Sequence, residues 1–180
     1  MIFHEKSVSS DVKFEGHIIT VRVDTVEMPD GRTATREVVD HSGGVCVVPI
    51  ADNGEVVMVR QFRKAVESAV LEIPAGKLNS GENHRDCGIR ELEEETGYKS
   101  NNIVYLGHIF PSPGFMNETI HIYLATELYD GELNLDLDEY LDVEKIPLEQ
   151  VVEMIMNNEI NDSKTVVGIL KAREYLTRCS

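Results

Sequence analysis

Apolar and polar positions alternate through residues 14 to 28, FEGHIITVRVDTVEM, which predicts a strand. Pro29-Asp30-Gly31 is turn chemistry, and 32 to 41 can return as a second strand to close a hairpin. Gly43-Gly44 is a boundary signal, after which GVCVVPI (44 to 50) and EVVMVRQF (55 to 62) predict strands separated by Asp52-Asn53-Gly54. A further apolar run, AVLEIPA (69 to 75), leads into a loop bracketed by Gly76 and Gly81. The polar stretch that follows predicts a helix from about Asn83 to Glu95, stopped by a left-handed cap at Gly97. Strands are predicted near 103 to 110 and 119 to 127, with the loop PSPGFMNE between them, and near 140 to 146. Helices are predicted over about 148 to 157, where Leu148, Val151, Val152 and Ile155 form a stripe, and over 163 to 177. Strands interleaved with helices predict an α/β or α+β sandwich.

At 180 residues the chain fits one domain with room for a small appendage. Its hydrophobic content of 42% suffices for a packed core. No apolar run approaches the roughly 20 residues that span a bilayer, and MIFHEKSVSS has no signal-peptide pattern, so the expectation is a cytoplasmic protein without membrane contact. Cys46, Cys87 and Cys179 are odd in number and form no C-x-x-C pair, which agrees, and Cys46 falls in an apolar run as a core residue. The net charge of −15 excludes nucleic acid as a partner. It would also repel a nucleotide, unless metal ions and a few arginines reverse the sign locally. Solubility alone is the simpler account of the acidity.

One short segment changes the picture. In GKLNSGENHRDCGIRELEEETGY (76 to 98), Glu91, Glu94 and Glu95 stand at i, i+3 and i+4, which places three carboxylates on one helix face. Like charges at these offsets repel unless a cation neutralises them, and grouped hard oxygen donors suit magnesium or manganese. A solvated acidic face is the ordinary alternative. Gly88 lies inside the helix at a cost of about 1 kcal/mol against Ala, and with Cys87 it makes a small-residue patch suited to close approach of another backbone.

The fixed positions read G-x5-E-x7-R-E-U-x-E-E-x-G-U, with Gly76, Glu82, Arg90, Glu91, Leu92, Glu94, Glu95, Gly97 and Tyr98 in place. This resembles the Nudix box of the Nudix hydrolases; Tyr98 is aromatic where many members carry an aliphatic residue. SPGFMNE (112 to 118), LEIPAGKL (71 to 78), MVRQFR (58 to 63) and REVVDH (36 to 41) resemble the ADP-ribose pyrophosphatase subgroup, although Pro113-Gly114 by itself is ordinary turn chemistry. The resemblance implies an α/β/α sandwich with a mixed central sheet, plus a small N-terminal antiparallel sheet. It divides the chain into residues 1–42, an N-terminal β-sheet region exchanged across a homodimer, and 43–180, the hydrolase domain.

The resemblance also implies residue roles. Glu91, Glu94 and Glu95, with the Ala75 carbonyl, are the expected metal ligands, for Mg²⁺ or Mn²⁺. Arg90 is expected to orient the box carboxylates. Arg63 is the expected phosphate clamp, Arg36 and Glu37 sit at the adenosine end, and Arg60 serves either; each has a surface charge as its plain alternative. Pro113, Gly114 and Phe115 are expected against the substrate. Glu118 positions a metal or water. Glu139 is the first choice for the general base and Glu94 also stands among the catalytic candidates, while Asp136 and Asp138 remain alternatives beside Leu137, where relatives often carry a second acid. His121 reads as packing.

The expected activity is Mg²⁺-dependent hydrolysis of ADP-ribose to AMP and ribose 5-phosphate. The alternatives are another nucleoside diphosphate sugar or a dinucleotide as substrate, or a nucleotide-binding regulatory module without catalysis.

Overall fold

A computed structural model describes residues 3–135 and 140–179. The chain forms two compact units, one of residues 1–43 with 110–119 and one of 44–109 with 120–180.

The first unit is a three-stranded antiparallel sheet in the order β1-β2-β3, from β1 (Lys6–Glu15), β2 (Ile19–Glu27) and β3 (Thr33–His41). The Pro29-Asp30-Gly31 hairpin forms as predicted, with Glu27 opposite Thr33 and Gly31 at φ +82°. The stretch predicted as one strand from residue 14 instead splits at a turn where Gly16 N–H donates to the Ile19 carbonyl at 2.9 Å. The strand β1 carries only a broken alternation, with Val8, Val12 and Phe14 interrupted at Ser10; all of its residues are exposed, and its register shifts twice against β2. Residues 110–119 join this unit through β3: Val39 N–H donates to Phe115 O at 2.7 Å, and Asn117 N–H to Val39 O at 3.1 Å.

The second unit holds β4 (Gly44–Pro49), β5 (Glu55–Arg63), β6 (Ser68–Glu72), β7 (Ala75–Lys77), α1 (His84–Thr96), β8 (Tyr98–Ile109), β9 (Ile120–Asp130), β10 (Leu141–Pro147), α2 (Leu148–Met156) and α3 (Ser163–Cys179). Its central sheet runs β7-β4-β9-β8 and is mixed, because β4 and β9 are parallel while the other pairs are antiparallel. A second sheet, β10-β5-β6, is antiparallel.

All six residues of β4 are buried, the mark of a strand covered on both faces. Cys46 and Val48 pack with Ile122, Leu124, Ile169 and Ala172 on the side of α2 and α3. Val45 and Val47 pack with Cys87 and Leu92 of α1 on the other. The sandwich therefore has α1 on one face and α2 with α3 on the other, and Val151 and Val152 of the predicted stripe are buried in it. Burial pushes the Cys46 thiol up to about 12 and makes it an inert core group.

Two expectations need correcting. β8 begins at Tyr98, well before residue 103, because Lys99 to Asn102 are polar residues of an edge strand paired with β9 and carry no apolar signal. Gly88 does not admit a backbone: a Cβ there would lie 3.1 Å from Val45 Cγ2 and 3.4 Å from Val47 Cγ2, so the gap admits valine side chains of β4.

Candidate active site

The helix α1 begins where Asn83 caps it, its side-chain oxygen accepting from Arg85 N–H at 2.8 Å, and ends where Gly97 adopts φ 70° and its N–H donates to Glu93 O. Between these caps the buried face is unusual in chemistry. Of its six buried residues, Cys87, Gly88, Glu91, Leu92, Glu95 and Thr96, two are glutamates. Glu95 is only 2% exposed. A buried carboxylate is costly unless it is paired or binds a cation, so a merely solvated acidic face does not describe this helix.

The partners are specific. Glu95 Oε2 accepts from the Ala75 backbone N–H at 3.0 Å, which ties the helix to the strand segment just before the box. Arg90 draws the other acids together: its Nη1 lies 2.8 Å from Glu91 Oε1 and 2.7 Å from Glu94 Oε2, and its Nε lies 3.1 Å from Glu82 Oε1. One guanidinium thus faces three carboxylates. Arg90 and the Asn79 N–H hold the Glu82 carboxyl down at about 2. Burial works to lower the Arg90 pKa, but Glu82, Glu94 and Glu91 outweigh it and raise it. Gly76 lines the same place. A Cβ built on it would lie 1.9 Å from Glu91 Oε1 and 2.4 Å from Oε2, so the carboxylate occupies the space a side chain would need.

This arrangement fits a divalent cation. The donors are hard carboxylate oxygens, a cationic group already stands among them, and the bare Gly76 backbone leaves room for Glu91. Among the described residues no three acidic, histidine or cysteine side chains converge as a ready metal cage. Glu91 and Glu94 turn instead to Arg90, and Glu95 to the Ala75 amide. The fit lies in the donor set and the space.

The remaining candidates fall as follows. Arg63 Nε and Nη2 grip Glu72 at 2.7 and 2.8 Å. Arg60 pairs with Glu144 of β10, Nε to Oε1 at 2.5 Å. In the first unit, Arg36 pairs with Glu5, Nε to Oε2 at 2.9 Å, and Glu37 is exposed opposite Val23 on β2. Pro113, Gly114 and Phe115 form an exposed turn, and Met116 N–H closes it on Ser112 O at 3.0 Å. Glu118 Oε1 lies 3.3 Å from His41 Nδ1, which accepts from Gly43 N–H at 3.0 Å. Asp136, Leu137, Asp138 and Glu139 lie outside the described residues. The loop leading to them is fastened to the box helix, with Gly131 N–H on Gly97 O at 2.7 Å and Asn134 N–H on Glu94 O at 3.1 Å.

Two features escape the sequence reading. Glu72 is a lone carboxylate in the apolar run AVLEIPA, 1% exposed and held by Arg63 and Lys164; an acid in an otherwise apolar run was its signal. His84 stacks on His121 with ring centroids 3.9 Å apart, beside Tyr105 and Tyr123. Nothing in the spacing of these four residues announces that cluster.

A mixed-sheet sandwich that presents buried glutamates of one helix to a glycine-lined strand end defines a metal-assisted phosphoanhydride hydrolase. The chain belongs to the Nudix hydrolase family: the NUDIX domain profile matches residues 40–166. The profile of the nucleoside diphosphate sugar hydrolase N-terminal domain matches residues 5–39. An ADP-ribose pyrophosphatase of Bacillus subtilis is 40% identical over 96% of this chain and 95% of its own. A methanol dehydrogenase activator of Bacillus methanolicus is 42% identical over 93% of this chain and 92% of its own. A crystal structure of an ADP compounds hydrolase superposes with a TM-score of 0.87 at 23% identity, covering 98% of this chain and 96% of that one, and shares the fold. Membership of the family implies dependence on a divalent metal. Among the described residues no helix is long and apolar enough to cross a membrane.

Proposed function

We propose that the protein hydrolyses the diphosphate link of ADP-ribose, giving AMP and ribose 5-phosphate, with Mg²⁺ as its metal. The observation that carries this reading is the burial of Glu91 and Glu95 beside Gly76 and Ala75, with Arg90 facing Glu82, Glu91 and Glu94. The Bacillus subtilis relative, named an ADP-ribose pyrophosphatase and similar over nearly the whole of both chains, supports the choice of substrate.

In this reading Glu91, Glu94, Glu95 and the Ala75 carbonyl hold the metal. A divalent cation there supplies neutralisation of the diphosphate and acidification of water. Arg90 keeps the carboxylates gathered, and Arg63 grips the phosphates through charge-assisted bonds. Arg36, Glu37, Arg60 and the Pro113-Gly114-Phe115 turn contribute to substrate recognition, and Glu118 positions water or metal. Glu139 takes the proton of the attacking water on sequence grounds, with Asp136 and Asp138 as alternatives.

The protein acts as a homodimer. The exposed β1, with Val8, Val12 and Phe14 each more than half exposed, supports pairing of the N-terminal sheet with a second copy. Three unpaired cysteines support a reducing, cytoplasmic setting.

The test is turnover of a panel of ADP-ribose, ADP-sugars, GDP-mannose, dinucleotides and nucleoside triphosphates in excess Mg²⁺, ranked by kcat/KM. ADP-ribose should lead, and Glu95→Gln should abolish the activity; a fully active Glu95→Gln protein would sink the metal assignment. The name of the Bacillus methanolicus relative favours a second reading, a nucleotide-binding regulator of another enzyme. Binding without turnover in the same assay selects it.

A further inference from the structure

Glu72 is 1% exposed at the end of β6, yet it carries a charge. Its Oε1 accepts from Arg63 Nε–H at 2.7 Å and its Oε2 from Arg63 Nη2–H at 2.8 Å. Lys164 of α3 bonds the same Oε2. Lys164 is held in turn by Asp162 Oδ2 at 3.0 Å, and Asp162 caps α3 by accepting from Thr165 N–H at 3.0 Å and from its hydroxyl at 2.7 Å. The Thr165 hydroxyl oxygen accepts from Ile73 N–H at 3.0 Å. Two residues on, Ala75 N–H meets Glu95. A continuous set of bonds therefore runs from the start of the C-terminal helix, through residues 72–75, to the box.

The exposure along this set is uneven. The Glu72 side chain is 2% exposed and that of Lys164 13%, but that of Arg63 is 42% exposed. Glu72 occupies the Nε–Nη2 edge of the guanidinium, which leaves the Nη1 edge clear of this carboxylate. Burial works to raise the Glu72 pKa, and Arg63 with Lys164 outweighs it and lowers it. The Arg63 pKa is raised, first by Glu72 and further by the charges of Glu95 and Asp162, which places Arg63 in the field of a box carboxylate. An ion pair serving only the fold is commonly replaceable by apolar residues at no loss. Fixing a long arginine at two nitrogens while 42% of its side chain stays exposed suits aim rather than adhesion.

We propose that Glu72 is a positioning residue of the hydrolytic site: balanced by Lys164, it clamps one edge of the Arg63 guanidinium so that the other edge meets the diphosphate. The inference rests on the hydrolase reading above. In its terms, α3 belongs to the active-site support through Lys164, Asp162 and Thr165.

The test is a double-mutant cycle on the full-length protein with Mg²⁺ and ADP-ribose, reading kcat, KM and Tm for wild type, Glu72→Gln, Arg63→Ala and the pair. If Glu72 acts through Arg63, Glu72→Gln lowers kcat/KM by about 10²-fold, the cost typical of a displaced reactive contact, and adds nothing once Arg63 is gone. Effects that multiply in the pair, or a Glu72→Gln protein within about twofold of wild type, overturn the proposal. Glu72→Gln leaves Lys164 without its buried partner and can lower Tm on that account, so Glu72→Gln/Lys164→Gln removes both charges together. Positioning predicts that Tm recovers while activity stays low. Recovery of both reveals a structural role and overturns the proposal. A wild type that turns over no nucleoside diphosphate defeats the hydrolase reading and this inference with it. Turnover with multiplying effects leaves the reading standing and defeats the inference alone.

Discussion

The carboxylate of Glu91 occupies the space that a side chain at residue 76 would fill, 1.9 Å from the point where a Cβ on Gly76 would stand. Glycine at this place in the box is therefore a steric requirement, set by the acid that the helix presents and independent of backbone conformation.

The Gly76→Ala substitution should show it. The new methyl group displaces the Glu91 carboxylate, the end of a flexible chain, so the fold survives while the donor moves. We expect kcat/KM to fall by about 10²-fold, in line with misplacement by an ångström, with Tm within a few degrees of wild type. Activity retained in Gly76→Ala would show that the position of Glu91 does not matter to the reaction.

How far the sequence discloses this site depends on periodicity. The box helix, its Asn83 start and its Gly97 stop are legible because capping chemistry and carboxylate spacing are local. The central strand β4 is legible because burial on both faces leaves an unbroken apolar run. The strand β1 is less so, since its alternation of Val8, Val12 and Phe14 is broken at Ser10 and none of the three is buried. The Glu72–Arg63–Lys164 contact joins residues 9 and 92 positions apart in the chain, and no local pattern reports such a meeting. Residues 110–119 join the N-terminal sheet through hydrogen bonds of the Val39 backbone, which side-chain patterns do not encode.

Gly97 supports a second prediction. Its φ of 70° is strained for any residue with a Cβ, although the space is adequate, with Leu133 N the nearest atom at 3.5 Å. Gly97→Ala should cost about 1 kcal/mol, or about 2–4 °C in Tm for a chain of this size. The Gly97 carbonyl receives Gly131 N–H, so the same substitution should increase amide exchange at Gly131 and Asn134. Unchanged exchange there would separate the cap from the loop.

Glu82 gives a pH prediction. Its pKa is lowered from 4.5 to about 2, first by the hydrogen bond from Arg90. A depressed carboxylate contributes stability that is fully present above the unfolded value of 4.5 and is lost as pH falls through the folded value of about 2. The Tm difference between wild type and Glu82→Gln should be constant above about pH 5 and shrink steadily below it. A difference that stays the same down to pH 3 would show that the Arg90 contact does not depend on the Glu82 charge.

The ring cluster beneath the start of α1 responds in a higher window. His121 stacks on His84 at 3.9 Å, with His108 at 6.0 Å between centroids, and its Nδ1 lies 3.0 Å from the Tyr105 hydroxyl. His84 meets the Tyr123 hydroxyl, and Arg85 and Asp86 are the other charged groups near Tyr123. Burial first, then the charges of His84 and His108, lower the His121 pKa below 6.5. The fold therefore favours the neutral ring. For a histidine shifted this way, stability is fully present above 6.5 and is lost as pH falls through the lower folded value. Between pH 7 and 5, Tm of the wild type should fall more than that of His121→Gln, and His84→Gln, which removes one cause of the His121 shift, should flatten the curve in part. Parallel curves for wild type and both variants would show that His121 titrates without consequence for the fold.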